Sequence, residues 1–269
     1  MKLINPNPFT TRPEIVGTFG VVTSTHWIAT AVGMGILEKG GNAFDAAVAT
    51  AFTLQVVEPH LCGPGGDAPL ILHDVRRGGG VIAARITVVG AGGLGGPIAL
   101  ALGAAGAELV IADPDRVELS NLHRQIQFTA DDLGHAKAPT LAAAVRAAGG
   151  AARGAPVAWA DDTADALAAD AQLVIDATDD PATKFAVADW AVARGVPYVV
   201  AAALGYGGNA MAGAPGTACY RCLFEAPAEA PTCAEAGVLG PVVGAIGGLA
   251  AALALALARG EPGVGGAIW

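Results

Sequence analysis

The chain has 269 residues, 53% of them hydrophobic, 14% charged and 5% aromatic. That is material for one large α/β domain or two smaller ones, with cores built from small and aliphatic side chains. A net charge of −9 and a pI near 4.9 speak against a nucleic-acid surface and against an anionic membrane. Four cysteines are no disulfide framework at this length, so a CxxC reads as metal or redox chemistry in a reducing, cytoplasmic compartment.

The opening "MKLINPNPFTTRPEIVG" lacks the apolar stretch of a signal peptide. A helix is predicted over residues 25–39, with Ile28, Val32, Gly35 and Ile36 on one face and "KGG" as its stop. A second helix starts at Asn42, whose side chain caps it with Asp45 three residues on, and runs to about Val57. "APLILHD" reads as a strand, and the glycines of "VRRGGGVIAAR" then punctuate the chain. We place a domain boundary there, between residues 1–80 and 81–269.

Beyond it strands and helices alternate. "ITVVG" is a buried strand followed by the helix "GLGGPIALALGAAGA"; "ELVIADPD" is a second strand followed by "HAKAPTLAAAVRAAG". "APVAWA" is a candidate strand, "AQLVIDATDD" and "VPYVVAA" are strands, and "PATKFAVADWAVARG" between the last two is a helix. Apolar runs joined by helices imply an α/β, doubly wound, mainly parallel sheet of Rossmann-like type, preceded by a small helical segment. The uncharged stretch at 237–258 is long enough to cross a bilayer, but its Gly/Ala content and lack of aromatic girdles read as a helix packed on the sheet.

Chemistry enters with "ITVVGAGGLGG". Gly90, Gly92 and Gly95 satisfy GxGxxG between strand and helix, and with Gly93 they form a turn on which a phosphate can approach the backbone. Asp113 ends the second strand, where an acid accepts hydrogen bonds from ribose hydroxyls. The next stretch, "DPDRVELSNLHRQIQF", carries Asn121 and Arg124 where a dehydrogenase has no use for them. With "GHAKA", "IDATDD", "ACYRCLF" and "TCAEAGVLGPVVGAIGGLAA" it resembles, over about residues 85–260, the ubiquitin-activating-type adenylyltransferases of the ThiF/MoeB/HesA group.

That resemblance implies an ATP-dependent enzyme that joins AMP to the C-terminal glycine of a ubiquitin-like sulfur-carrier protein ending in Gly-Gly, and implies a homodimer. It implies that Arg124 and Lys137 offset phosphate charge, that Asp179 holds magnesium, and that Asn121 lies near phosphates or ribose. Asp176 is the alternative inner partner, and Asp180 stands where many members have asparagine. His123 and His135 receive no catalytic reading. In the family the "CYRC" pair is half of a four-thiolate zinc site, so Cys219 and Cys222 read as a zinc half-site of a domain truncated before its second pair. Cys62 and Cys233 are not favoured by spacing to complete it, a Cys/Cys redox pair is the alternative, and Cys233 matches a cysteine that some relatives use in sulfur transfer. Family members also carry an arginine-containing helix before the first strand, for which Arg76, Arg77 and Arg85 are poor substitutes.

The segment from "GVVTSTHWIATAVGMGILEKGG" to "PHLCGPGGDAPLILHD" resembles instead the start of the γ-glutamyltransferase family. That family's catalytic threonine and glutamate-binding arginine belong to later regions, so His60 and Cys62 are read as parts of a structural loop. Two alternatives to the adenylyltransferase therefore stand: a nucleotide-binding module without activity, and a γ-glutamyltransferase-type fragment.

Overall fold

The computed structural model describes residues 20–57, 84–227 and 237–269. The chain divides into two compact units, residues 1–70 and 71–269. The expected strand "APLILHD", His60, Cys62, Arg76, Arg77 and Cys233 lie outside the described residues.

In the first unit, α1 (Trp27–Glu38) packs on α2 (Ala43–Val57). The cap at Asn42 is reciprocal: Asp45 N–H donates to Asn42 Oδ1 at 3.0 Å, and Asn42 N–H to Asp45 Oδ2 at 3.1 Å. The packed positions of α1 are Ala29 and Gly33, whereas Ile28 and Val32 are exposed. The expected apolar face is thus rotated by one residue. Only small side chains let the two helix backbones approach this closely, so the larger ones are turned outward.

In the second unit, seven strands form one sheet in the order β3-β2-β1-β4-β5-β6-β7. They are β1 (Arg85–Val89), β2 (Glu108–Ala112), β3 (Ala151–Ala155), β4 (Leu173–Asp176), β5 (Tyr198–Leu204), β6 (Gly207–Gly213) and β7 (Ala267–Ile268). The pairings from β3 through β5 are parallel; β5–β6 and β6–β7 are antiparallel. One face is covered by α3 (Gly95–Ala104), α4 (Lys137–Ala147) and α8 (Gly240–Ala258), whose Ile98, Leu102, Leu141, Val145 and Ala250 pack on Ile86, Val88, Leu109 and Ile111. The other carries the short α5 (Ala164–Leu167) and α6 (Pro181–Arg194), with Trp159 and Val187 over Val89 and Val174. The turn α7 (Tyr220–Leu223) lies against α6.

The expected doubly wound sheet is therefore present, with three departures in detail. The third strand is Ala151–Ala155, and "APVAWA" continues past it as a loop that buries Trp159 edge-on to Trp190, ring centroids 5.4 Å apart. The glycine-rich β6 has weak strand propensity and forms because β5 offers it a full register. A short final strand is also present at Ala267–Ile268. The apolar 237–258 stretch is helix α8, the one helix among the described residues long and apolar enough to cross a membrane. It packs on α3, β5 and β6 through Val243, Gly247, Ala250 and Ala254.

Helix α6 shows why its sequence starts and stops where it does. Asp180 caps it, accepting from Thr183 N–H at 2.8 Å and from the Thr183 hydroxyl at 2.6 Å, and Gly195 ends it in the left-handed region. Lys184, one turn in, points into the sheet. Its ammonium donates to Asp176 Oδ2 at 2.6 Å, to Thr178 O at 2.6 Å and to Ala201 O at 2.7 Å. Asp176 is fully buried and its other oxygen accepts from the Thr178 hydroxyl at 2.8 Å. Burial pushes this carboxyl above the usual range, and the Lys184 ammonium beside it opposes the push.

Removing one member of this pair strands the other charge. Lys184→Met should lower stability by about 3–5 kcal/mol, read as a drop in urea midpoint, with part of the loss restored by adding Asp176→Asn. A midpoint that does not move would show that the pair is not holding β4, β5 and α6 together. Asp180 gives a pH signature. The Thr183 hydroxyl, then backbone donors, hold its carboxyl below the usual range. Its contribution is therefore complete above the unfolded value of about 4 and fades as pH falls through the lower folded value. Asp180→Ala should cost about 1 kcal/mol at neutral pH, and urea midpoints of the two proteins should converge as pH drops below about 4. A gap that stays constant would assign the loss to something other than the charged cap.

Candidate functional site

The strand order reverses between β1 and β4, and in open parallel sheets the crevice beyond that reversal, at the carboxyl ends of the strands, is where ligands bind. The turn from β1 into α3 lies there. Gly90 has φ +98°, and a β-carbon on it would come within 2.9 Å of the Ala177 backbone just past β4. A β-carbon on Gly95 would collide with the Gly90 carbonyl oxygen. These two glycines let the turn fold back on itself while pressed against the end of β4. Gly92 is unlike them: the nearest atom to its missing β-carbon is Gln125 Nε2, 3.7 Å away. Gly93 lies beside the Arg124 carbonyl oxygen, at 3.2 Å by the same measure.

Three groups of side chains meet this turn. From the end of β2, Asp113 is nearly buried; its Oδ2 accepts from Ala91 N–H at 2.7 Å and its Oδ1 from Asp115 N–H at 2.8 Å. Burial raises this carboxyl above its ordinary range, with the two backbone donors opposing. Asp115 is exposed, and its Oδ2 accepts from Lys137 Nζ at 2.9 Å. Lys137 begins α4 and is almost entirely covered.

From the loop after β2 come Asn121, Arg124, Gln125 and Gln127. Asn121 closes a 3-10 turn, and its carbonyl accepts from Arg124 N–H at 3.1 Å and Gln125 N–H at 3.0 Å. The Asn121 side chain makes only a long contact of 3.5 Å with Glu118. Arg124 is half-buried beside Gly93 and has no acid partner among the described residues. Gln127 donates to Ala91 O at 3.0 Å and Gly92 O at 2.9 Å, which clasps the turn from above. The carbonyl oxygens of Gln125 and Gln127 are buried beside it with no partner.

From the end of β4 comes Asp179, exposed and without a hydrogen bond or ion pair among the described residues. It follows Thr178, whose backbone nitrogen is one of the atoms facing Gly90. Asp176 is instead walled into the core with Lys184, so Asp179 is the carboxylate of that strand end that a metal ion can reach. Magnesium needs only one or two carboxylates, completing its shell with water and phosphate oxygens, and Asp179 fits that requirement.

His123 is exposed, its Nδ1 2.9 Å from Ser120 O, and His135 is exposed in the turn before α4. Cys219 and Cys222 lie at α7, and no group of three His, Cys, Asp or Glu side chains that could hold a metal occurs among the described residues. A tetrahedral zinc site needs four donors, and these two thiols do not fit it as they stand. Arg85 sends its Nε to Asp170 O at 3.0 Å at the amino end of β1, the edge opposite the glycine turn. Asp115, Gln125, Gln127 and Lys184 escaped the sequence reading. A lone lysine heading the mostly apolar "KFAVADWAVA", eight residues after a strand-ending aspartate, was the signal available for Lys184.

Comparison with known proteins gives two family matches. The ThiF family model matches residues 81–266, and the gamma-glutamyltranspeptidase model matches residues 29–86. Among curated proteins, SAMP-activating enzyme E1 of Haloferax volcanii is 40% identical over 168 residues, which is 60% of this chain and 62% of that protein. Sulfur carrier protein adenylyltransferase of Thermus thermophilus is 39% identical over 170 residues, 58% of this chain and 62% of that one. Adenylyltransferase and sulfurtransferase MOCS3 of Arabidopsis thaliana is 40% identical over 167 residues, 60% of this chain and 36% of that one. The chain thus spans between about a third and three fifths of the length of these relatives. Among solved structures, Escherichia coli MccB with AMPCPP and MccA superposes with TM-score 0.60 at 22% identity, covering 70% of this chain and 60% of that one. It is alike in fold.

The geometry makes Asp113 the post that holds the turn. Asp113→Asn swaps one acceptor for a donor and leaves Ala91 or Asp115 N–H buried and unpaired, a cost of about 1–3 kcal/mol. Amide exchange at Ala91 should accelerate along with the loss in urea midpoint. Unchanged protection at Ala91 would show that the turn is held by Gln127 alone.

Proposed function

The chain belongs to the ThiF family, and from that premise we propose that it is an ATP-dependent adenylyltransferase. Its substrate is the C-terminal carboxylate of a ubiquitin-like sulfur-carrier protein ending in Gly-Gly. The carboxylate attacks the α-phosphate of ATP, a carrier acyl-adenylate forms, and pyrophosphate leaves. The observation that supports this reading is the glycine turn itself, with Arg124 beside Gly93, Lys137 linked to it through Asp115 and Asp113, and Asp179 next to Thr178, whose backbone nitrogen faces Gly90. The relatives named for sulfur-carrier and SAMP activation support it.

Each residue has work that the reaction requires. Attack of one anion on another is slow until charge is offset, and fixed cations aimed at the phosphates do this without reorganising. Arg124 presents a planar fork with no acid paired to it among the described residues. Lys137 is held by Asp115 at a constant place, so its charge arrives oriented. Gly90, Gly92, Gly93 and Gly95 form the phosphate turn, with Gly92 the open position, and Asn121 is assigned to the phosphates or ribose. Asp113 shapes the ribose end, where Asp115 offers the exposed carboxylate oxygen. Asp179 would hold magnesium, which would supply further neutralisation of phosphate charge. The buried amide oxygens of Gln125 and Gln127 are left to accept from the nucleotide or its waters. We take residues 81–269 as the domain that does this, acting in the cytoplasm as a homodimer.

A second reading, a nucleotide-binding module without turnover, draws on the place of Arg85. Of Arg76, Arg77 and Arg85 it is the described one, and it is tied to Asp170 on the wrong edge to reach ATP. Pyrophosphate exchange into ATP separates the two readings. With a Gly-Gly-ended carrier, exchange should be carrier-dependent and should fall by about 100-fold or more in Arg124→Ala and in Asp179→Ala. ATP binding without exchange would favour the module, and exchange unaffected by both substitutions would overturn the assigned roles.

A further inference from the structure

The turn that carries the two described cysteines is fastened to the second unit by four contacts, none involving sulfur. Tyr220 N–H donates to the Tyr198 hydroxyl at 2.7 Å, and Tyr198 is itself buried in β5. The Tyr220 ring lies edge-on to Phe185 of α6 with centroids 4.9 Å apart, and Phe224 continues the cluster at 4.8 Å from Tyr220. Arg221 makes a two-pronged pair with Asp189 of α6, Nε to Oδ1 and Nη2 to Oδ2 both at 2.7 Å, with its guanidinium over Phe185 at 5.0 Å. A planar fork on a carboxylate backed by an aromatic face fixes orientation as well as distance. Holding this turn against the domain is the work a structural metal performs in a thiolate knuckle, and here side chains perform it.

The sulfurs are left with no such duty. Cys219 Sγ and Cys222 Sγ stand 3.4 Å apart, Cys219 N–H donates to Cys222 Sγ at 3.3 Å, and Cys222 is exposed while Cys219 is half-exposed. Among the described residues no further His, Cys, Asp or Glu joins them into a three-donor group. Two thiols in van der Waals contact on one helical turn, open to solvent, need only a small rotation to bond.

We propose that Cys219 and Cys222 are a redox-active dithiol that closes to an intramolecular disulfide, on a turn whose attachment needs no metal. With glutathione disulfide as oxidant, the sulfur of exposed Cys222 attacks one glutathione sulfur, and one glutathione leaves as thiolate. Cys219 then attacks the Cys222 sulfur, the mixed disulfide breaks, and the second glutathione leaves. The two electrons of the protein thiols end on glutathione, and the two protons released by the thiols are taken up by the two departing thiolates.

The test uses the full chain and a Cys62→Ser/Cys233→Ser version of it, each equilibrated in mixtures of oxidised and reduced glutathione and then alkylated and mapped by peptide mass spectrometry. The expected result is a Cys219–Cys222 linkage in both proteins, complete at oxidising ratios and fully reversed by reduced glutathione. Zinc measured on the same samples should be far below one per chain, and a chelator should leave the thermal midpoint unmoved, whereas Arg221→Ala should lower it. Stoichiometric zinc that is lost in Cys219→Ser would overturn the proposal. So would thiols that stay free, that stop at mixed disulfides with glutathione, or that pair only with Cys62 or Cys233.

Discussion

The second unit depends on a steric constraint: the turn after β1 must touch the backbone at the end of β4. Where Gly90 meets Ala177, a β-carbon would meet backbone atoms that cannot move without breaking the parallel pairing of β1 and β4. Gly95 must likewise be bare for α3 to leave the turn at its observed angle. Once this contact is made, the other pieces of the site have fixed addresses. Asp179 follows the touched strand end, Arg124 lies beside Gly93, and Lys137 is reached through Ala91, Asp113 and Asp115. Arg124 and Lys137 are thus each placed relative to the turn by contacts that lead back to its backbone.

Two buried carboxylates show how the fold separates scaffolding from chemistry. Asp176 meets an ammonium and a hydroxyl, and Asp113 meets two backbone N–H groups. Both have their oxygens committed within the protein. Burial disfavours the charged form in both, and the donors around each one offset that cost. The exposed acids are their neighbours two and three residues on, Asp115, which pairs with Lys137, and Asp179. The ends of β2 and β4 thus each carry a buried acid followed by an exposed one.

Much of this was legible because the relevant signals are local. Strand, glycine turn and helix in "ITVVGAGGLGG" follow from periodicity and from the conformations only glycine adopts, and the Asn42 cap and Gly195 stop follow from helix-end chemistry. What stayed hidden depends on partners distant in sequence. Gln127 reaches back to Ala91 and Gly92, and nothing in "RQIQF" predicts that reach. Strand β6 is "GGNAMAG", a poor strand by composition, created by the seven-residue register with β5. "APVAWA" alternates like a strand, yet its tryptophan is needed against Trp190, so the loop bends inward where the strand would have continued. Ile28 and Val32 of α1 looked like a core face, but the neighbouring line of small residues allowed a closer helix pair.

The acidity of the chain bears on the place of Arg124. With 15 basic against 24 acidic residues, carboxylates are plentiful; Arg85, Arg116 and Arg146 nevertheless donate to backbone carbonyls, while other basic residues pair with an acid. Arg194 and Arg221 do so, with Asp165 and Asp189, and Lys184 and Lys137 do so in the body of the domain. Arg124 has no such partner among the described residues, although Glu118 lies within the same loop. Keeping a guanidinium half-buried and unpaired next to bare backbone costs free energy in the empty protein. On the proposed function, an anion bound at the glycine turn would offset that cost.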